Sequence, residues 1–211
     1  MEQTLHADLC LKTVIQSPSR SSTSTFGRPS FRMRPSDFFR KSAFGLRISL
    51  CFALLLAGCS SKETPAQRTE AAKALYEQAT KEYHLPSAEA KGAAQRRLQD
   101  QAAAAYEELL KKYPEQTNWC VQAIYSLGNI RAAQTNLDAA TRLYAEVDTR
   151  YPHADWEVLM AWKSAGDLLW DAGRKQEAKG FYQKIVERFD NTNASAVVKT
   201  VVRGSKTHLT E

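Results

Sequence analysis

The sequence predicts an all-α fold, a stack of antiparallel two-helix hairpins, and three observations over its 211 residues lead there. The chain repeats itself at an offset of 38 residues: Ala102, Ala140 and Ala178 align, as do Tyr106, Tyr144 and Tyr182, Leu109, Val147 and Ile185, and Tyr113, Tyr151 and Phe189. Each repeat divides at a short turn into two segments of helix length, and a proline, Pro114 or Pro152, closes the second segment because it cannot continue the hydrogen-bond ladder. Gly128 and Gly166 fall inside the first segment of their units, opposite the small residues Ala140 and Ala178. With 25% of residues charged and 43% hydrophobic, the chain has an ordinary core, which sets aside collagen-like, disordered and disulfide-scaffold classes.

The first hairpin is the irregular one. Leu85-Pro86 breaks the chain and Ala90 takes the place of the glycine, so the reading is Gln67 to Tyr83 followed by a long second helix from Ser87 to Tyr113. The second unit has helices at Cys120 to Gln134 and Leu137 to Tyr151, with Thr135-Asn136 as the turn and Asn136 suited to left-handed backbone. The third has Trp156 to Asp171 and Arg174 to Phe189 around Ala172-Gly173. Val197, Val198, Val201 and Val202 then recur at i, i+1, i+4 and i+5 beside Lys199, Arg203 and Lys206, the pattern of a closing helix with Gly204 in the small-residue slot. A strand is the alternative, because valines favour it, but the pattern does not alternate. A polar outer face on this helix would cap the array.

A glycine inside a helix costs about 0.5–1 kcal/mol relative to alanine, so Gly128 and Gly166 point to close helix approach, with Tyr144 and Tyr182 filling the space beside them. On these residues the chain resembles the tetratricopeptide repeat (TPR) family: Leu127-Gly128, Ala140, Tyr144 and Pro152 in one unit, about 121–154, and Trp162, Gly166, Ala178 and Tyr182 in the next, about 159–192. The resemblance implies a right-handed α-solenoid over residues 67–211 that binds other proteins. The period departs from the usual spacing of about 34 residues, which predicts longer links between units and a tighter superhelix.

The N-terminal quarter is of another kind. Of the net charge of +6, residues up to Gly58 carry +5, so the basic balance says little about the repeat region and gives no support to nucleic-acid binding. Residues 48–57 read ISLCFALLLA, an uncharged run that as a helix spans roughly 15 Å, half of a ~30 Å hydrocarbon core. That is the size of a secretory apolar region, with basic residues before it and small residues behind. Leu56-Ala57-Gly58-Cys59 resembles the lipobox of bacterial lipoproteins, in which the cysteine thiol is acylated and becomes the mature N-terminus. The alternatives are a buried free cysteine behind an apolar run and an organelle transit peptide, the second of which leaves the lipobox unexplained. Met33 offers a start that gives a leader of conventional length, so residues 1–32 read as a doubtful extension, 33–58 as the lipoprotein signal and 59–66 as the lipidated cysteine with its tether. Ser60 rather than Asp after the cysteine implies, within that resemblance, the outer membrane and its periplasmic side. Cys10 and Cys51 fall in the removed segment and Cys59 is acylated, leaving Cys120 as a lone thiol, a small apolar residue at a helix start.

No constellation for catalysis emerges from the sequence, and the expectation is a non-enzymatic protein without a cofactor other than the lipid on Cys59. His84, His153 and His208 lack ligand spacing, and Asp167 and Asp171, one helical turn apart, read as a solvated face rather than a metal or acid–base pair. TPR arrays commonly bind a peptide segment or helix on the concave face lined by the first helix of each unit. Projecting the repeat onto that face selects Gln122, Tyr125, Asn129 and Ala133 in the second unit, and Met160, Lys163, Asp167, Trp170 and Asp171 in the third. Tyr125 and Trp170 have the large apolar area and polar handle of binding anchors, although Trp170 is equally suited to packing between repeats. The resemblance therefore implies an envelope adaptor or assembly factor held to the membrane by its acyl chains. A self-assembling structural protein, or an accessory subunit of an envelope enzyme or secretion complex, is the alternative.

Overall fold

Helix α1, Pro65–Gln78, begins at a reciprocal cap: the Thr64 hydroxyl accepts from the Gln67 N–H at 3.3 Å and the Gln67 carboxamide accepts from the Thr64 N–H at 2.8 Å. Pro65 follows at a first-turn position, where a missing N–H costs nothing. The computed structural model of the protein describes residues 63–211, which form one compact unit. The signal segment, residues 1–32 and Cys59 lie outside the described residues. Pro65 and Ala66, expected in the tether, are already helical.

The chain does not break at Leu85-Pro86. After α1 the helix widens into a π segment, Ala79–His84, and continues as α2, Leu85–Glu89. The Leu85 N–H bonds to the Thr80 carbonyl five residues back, and Pro86 stands in the first turn of α2, where proline is tolerated. The break comes at Ala90 and Lys91, both extended, and at Gly92 with φ +60°. Helix α3, Gly92–Lys112, follows, so Ala90 lies in a linker and not in a glycine slot.

The next two units match the expected hairpins closely: α4, Thr117–Ala133, and α5, Leu137–Arg150; then α6, Asp155–Asp171, and α7, Lys175–Phe189. In the α4–α5 turn the left-handed residue is Thr135, at φ +59°, while Asn136 caps α5 by accepting from the Ala139 N–H at 3.2 Å. In the α6–α7 turn Gly173 takes φ +77°. The links between units, 113–116 and 151–154, are only four residues long, so the period of 38 reflects first helices of 17 residues rather than extended links. The valine-rich segment is a helix, α8, Ala196–Thr210, capped by Ser195. Among the described residues the fold is all-α, a TPR-like solenoid.

Successive helices pack on one another from α3 to α8, and first helices also touch first helices, α1 on α4 and α4 on α6. Within each hairpin the small residue admits a tyrosine. A Cβ built at Gly128 would lie 2.5 Å from Cε1 of Tyr144, and one at Gly166 2.7 Å from Cε1 of Tyr182. Both tyrosines are buried, as are Ala140 and Ala178. Gly204 shares the 38-residue offset but not the contact: nothing stands within 4 Å of its Cβ position. The valine stripe of α8 turns Val202 inward and leaves Val197 53% exposed.

Candidate interaction face and its tyrosine links

The residue that follows each small position ties the hairpin together. The Tyr144 hydroxyl donates to Asn129 Oδ1 at 2.7 Å, and the Tyr182 hydroxyl donates to Asp167 Oδ1 at 2.9 Å. Tyrosine and acceptor are 15 residues apart in both. In the first hairpin Tyr106 Oη lies 2.8 Å from Thr80 Oγ, 26 residues upstream, directly after buried Ala79. Ala79 therefore stands where Gly128 and Gly166 stand, and eleven additional residues, accommodated by the π segment, α2 and its linker, separate the two partners.

This geometry redistributes the residues expected to face a partner. Tyr125 is 8% exposed, its ring 5.7 Å from that of Tyr144 and its hydroxyl 3.1 Å from Ser164 Oγ of the next hairpin. Asn129 is engaged by Tyr144. Asp167 serves Tyr182 through one oxygen and the Lys163 ammonium through the other, while Asp171 is exposed. Trp170 packs between repeats, with the His208 ring of α8 at 4.4 Å, the Tyr182 ring at 6.1 Å and the Lys175 ammonium 4.4 Å over its face. Gln122 and Met160 are half-buried, while Ala133 and Asp171 are exposed. Ser164, Thr80 and His208 are the participants that sequence reasoning missed. For Thr80 and the acceptors beside the glycines, the usable signal was a polar residue directly after a small one, paired with a downstream tyrosine.

Electrostatics favour a structural use of these groups. Burial, followed by the charge of Asp167, pushes the Tyr182 hydroxyl far above its ordinary range, so it remains a neutral donor. Burial also raises the Cys120 thiol, whose Sγ donates to the Tyr113 carbonyl oxygen at 3.2 Å, the behaviour of a packed rather than a reactive cysteine. Tyr182→Phe is expected to lower stability by about 1 kcal/mol, since Asp167 loses one neutral donor and keeps Lys163. Urea unfolding would show this as a lower midpoint at unchanged slope.

Arginines fasten the array at the surface, Arg68 within the first hairpin and Arg188 and Arg174 between the second and third. Arg68 bonds Glu115 at 2.6 Å and the Lys112 carbonyl at 2.7 Å; Arg188 pairs with Asp148 at 2.9 Å and Asp155 at 2.7 Å; and Arg174 joins the turns of the last two hairpins through Asp138 at 2.6 Å. No group of three His, Cys, Asp or Glu among the described residues is placed to hold a metal ion, and no helix there is long and apolar enough to cross a membrane.

A stack of hairpins with aligned first helices defines a repeat scaffold of the α-solenoid class. The tetratricopeptide repeat family model matches residues 90–115, which cover α3, and 164–192, which cover most of the third hairpin, and so supports tetratricopeptide repeats in this chain. No curated protein matches the chain. Repeats of this family point to protein–protein interaction, and proteins built on them are generally non-enzymatic adaptors.

Proposed function

We propose that this protein is a lipid-anchored TPR adaptor of the bacterial cell envelope, which holds a peptide segment or helix of another protein on the face formed by α4 and α6. The observation that carries the adaptor reading is the tetratricopeptide match at 90–115 and 164–192. Support for the anchor comes from Leu56-Ala57-Gly58-Cys59 behind an uncharged ten-residue run, with acylation of Cys59 and placement on the periplasmic side of the outer membrane. A single acyl chain anchors marginally, whereas two or three make attachment effectively permanent. The short tether keeps the repeats near the bilayer, and no cofactor beyond that lipid is part of this reading.

On the interaction face Gln122 and Met160 are the residues to test, because Tyr125, Asn129, Asp167 and Trp170 hold the fold together. Affinity capture from detergent-solubilised membranes is expected to recover a partner with the native chain and to lose it with Gln122→Lys plus Met160→Glu, at unchanged circular dichroism. Retention of the same partner by the double variant overturns the face. Mass spectrometry of the mature N-terminus tests the anchor: a chain beginning at acylated Cys59 supports it, and an unacylated N-terminus elsewhere refutes it.

A further inference from the structure

Helix α3 starts seven residues earlier in the repeat register than α5, whose first residue, Leu137, corresponds to Gln99. Residues 92–98 therefore overhang the α4–α5 turn, and a cavity of about 440 Å³ lies between them. Gln95, Arg96, Gln99 and Asp100 line it from α3, and Gln134 and Thr135 line it from the turn. Gln99 is only 3% exposed, and its carboxamide makes no side-chain hydrogen bond among the described residues. Gln99 is not among the buried unpartnered polar groups, so its carboxamide end opens onto this cavity while the rest of the side chain is packed, and a carboxamide fixed in that way offers its oxygen to a ligand's polar group.

The next seam along the stack shows which group fits. There Asp138, the repeat equivalent of Asp100, receives the guanidinium of Arg174 at 2.6 Å. The equivalent of Arg174 in the earlier seam is Asn136, which is turned back to cap its own helix. On the facing helix α4, Arg131 is directed to Glu107 at 3.3 Å and to the Gln134 carboxamide oxygen at 2.9 Å. Among the described residues Asp100 is left with a single neutral donor, Gln134 Nε2 at 3.0 Å. We propose that this cavity receives an arginine side chain of a partner protein, its guanidinium held by the Asp100 carboxylate and the Gln99 carboxamide oxygen. The guanidinium presents several coplanar N–H groups and so serves two acceptors at once. Arg96 is the opposing charge in the lining; it is exposed and forms no ion pair among the described residues, and its removal strengthens the site.

The inference rests on the reading of this chain as an interaction scaffold, but it concerns a surface apart from α4 and α6, so the capture experiment and this one fail separately. The probe is N-acetyl-arginine amide, titrated into the full chain in detergent micelles while the Gln99 side-chain amide and the Thr135 backbone amide are followed by NMR. N-acetyl-citrulline amide, which lacks the charge, and N-acetyl-glutamate amide, which reverses it, are the comparison ligands. Saturable shifts at both reporters with the arginine probe are expected, weakened roughly tenfold by Asp100→Asn. Arg96→Ala is expected to tighten binding about two- to threefold. Asp100 is exposed, so neither substitution disturbs the core. Binding that is unchanged by Asp100→Asn, equal binding of the citrulline probe, or absence of saturable shifts overturns the proposal. So does preferential binding of the glutamate probe with loss on Arg96→Ala, which would make the cavity a carboxylate site.

Discussion

Replacing Gly128 with alanine is expected to destabilise the protein by about 1–3 kcal/mol, while the same replacement at Gly180 stabilises it by about 0.5–1 kcal/mol. Both glycines lie within helices, α4 and α7, so the backbone benefit of alanine is the same at each. They differ in what the new methyl meets. Nothing stands within 4 Å of the Cβ position at Gly180. At Gly128 the methyl meets Tyr144 Cε1 at 2.5 Å and Cδ1 at 2.8 Å. That ring is held on two sides: its hydroxyl is bonded to Asn129, the residue next to the glycine, and its face meets Tyr125, itself bonded to Ser164 of the following hairpin. Moving the ring away breaks the first bond or compresses the second contact, and a packed interior resists both. Gly166→Ala at α6, with Tyr182 Cε1 at 2.7 Å and the hydroxyl on Asp167, is expected to behave as Gly128→Ala does. Urea unfolding of the three single variants checks the signs, a loss at Gly128 and Gly166 and a gain at Gly180. A Gly128→Ala protein at least as stable as the native one would remove close helix approach as the reason for the glycine.

The same contacts explain which parts of the fold could be read from the sequence. In the second and third hairpins a glycine, a tyrosine and an alanine must occur at set spacing for the helices to meet, so the repeat stands out in the residues themselves. The first hairpin makes the same hydrogen bond with Ala79, Thr80 and Tyr106, but eleven further residues shift the register and hide it. Pro86 then misleads, because a proline is read as a break, whereas a preceding π turn lets the helix pass through it. Gly204 misleads in the other direction, sharing the offset without the contact. Trp170 could not be assigned from its own helix at all: what covers it is His208, brought from α8 by tertiary packing. The cavity beside α3 was likewise invisible, since it arises from where that helix starts relative to its neighbour.

Acid is expected to weaken the fold through His84, by about 3 kcal/mol between pH 6.5 and 4. His84 lies in the π segment with its ring edge-on to Tyr106 and Nδ1 3.2 Å from the tyrosine oxygen. The Thr80 hydroxyl donates to the Tyr76 carbonyl at 2.9 Å, so Thr80 Oγ accepts from Tyr106, and the tyrosine oxygen accepts in turn from a protonated Nδ1. The neutral ring thus carries its proton on Nδ1. Burial lowers its pKa from 6.5 to about 4, because the charged ring loses hydration without gaining a carboxylate partner. Below pH 6.5 the unfolded chain binds a proton that the folded chain refuses, so stability falls as pH falls, and the loss levels off below about 4, where both states are protonated. Glu115, held near 2 by its hydrogen bond to Arg68, gives up its contribution as pH falls from 4.5 towards 2, mostly beneath this window. Glu157, raised by burial, acts with the opposite sign, since the folded state takes up its proton first. The native chain alone therefore does not isolate the histidine, and the decisive quantity is its difference from His84→Gln, measured by urea unfolding at pH 7, 6, 5 and 4. The native protein should lose its advantage over the variant progressively through that series. A difference that stays constant from pH 7 to 4 would mean that His84 titrates alike in both states, and the half-buried, neutral ring would have to be abandoned.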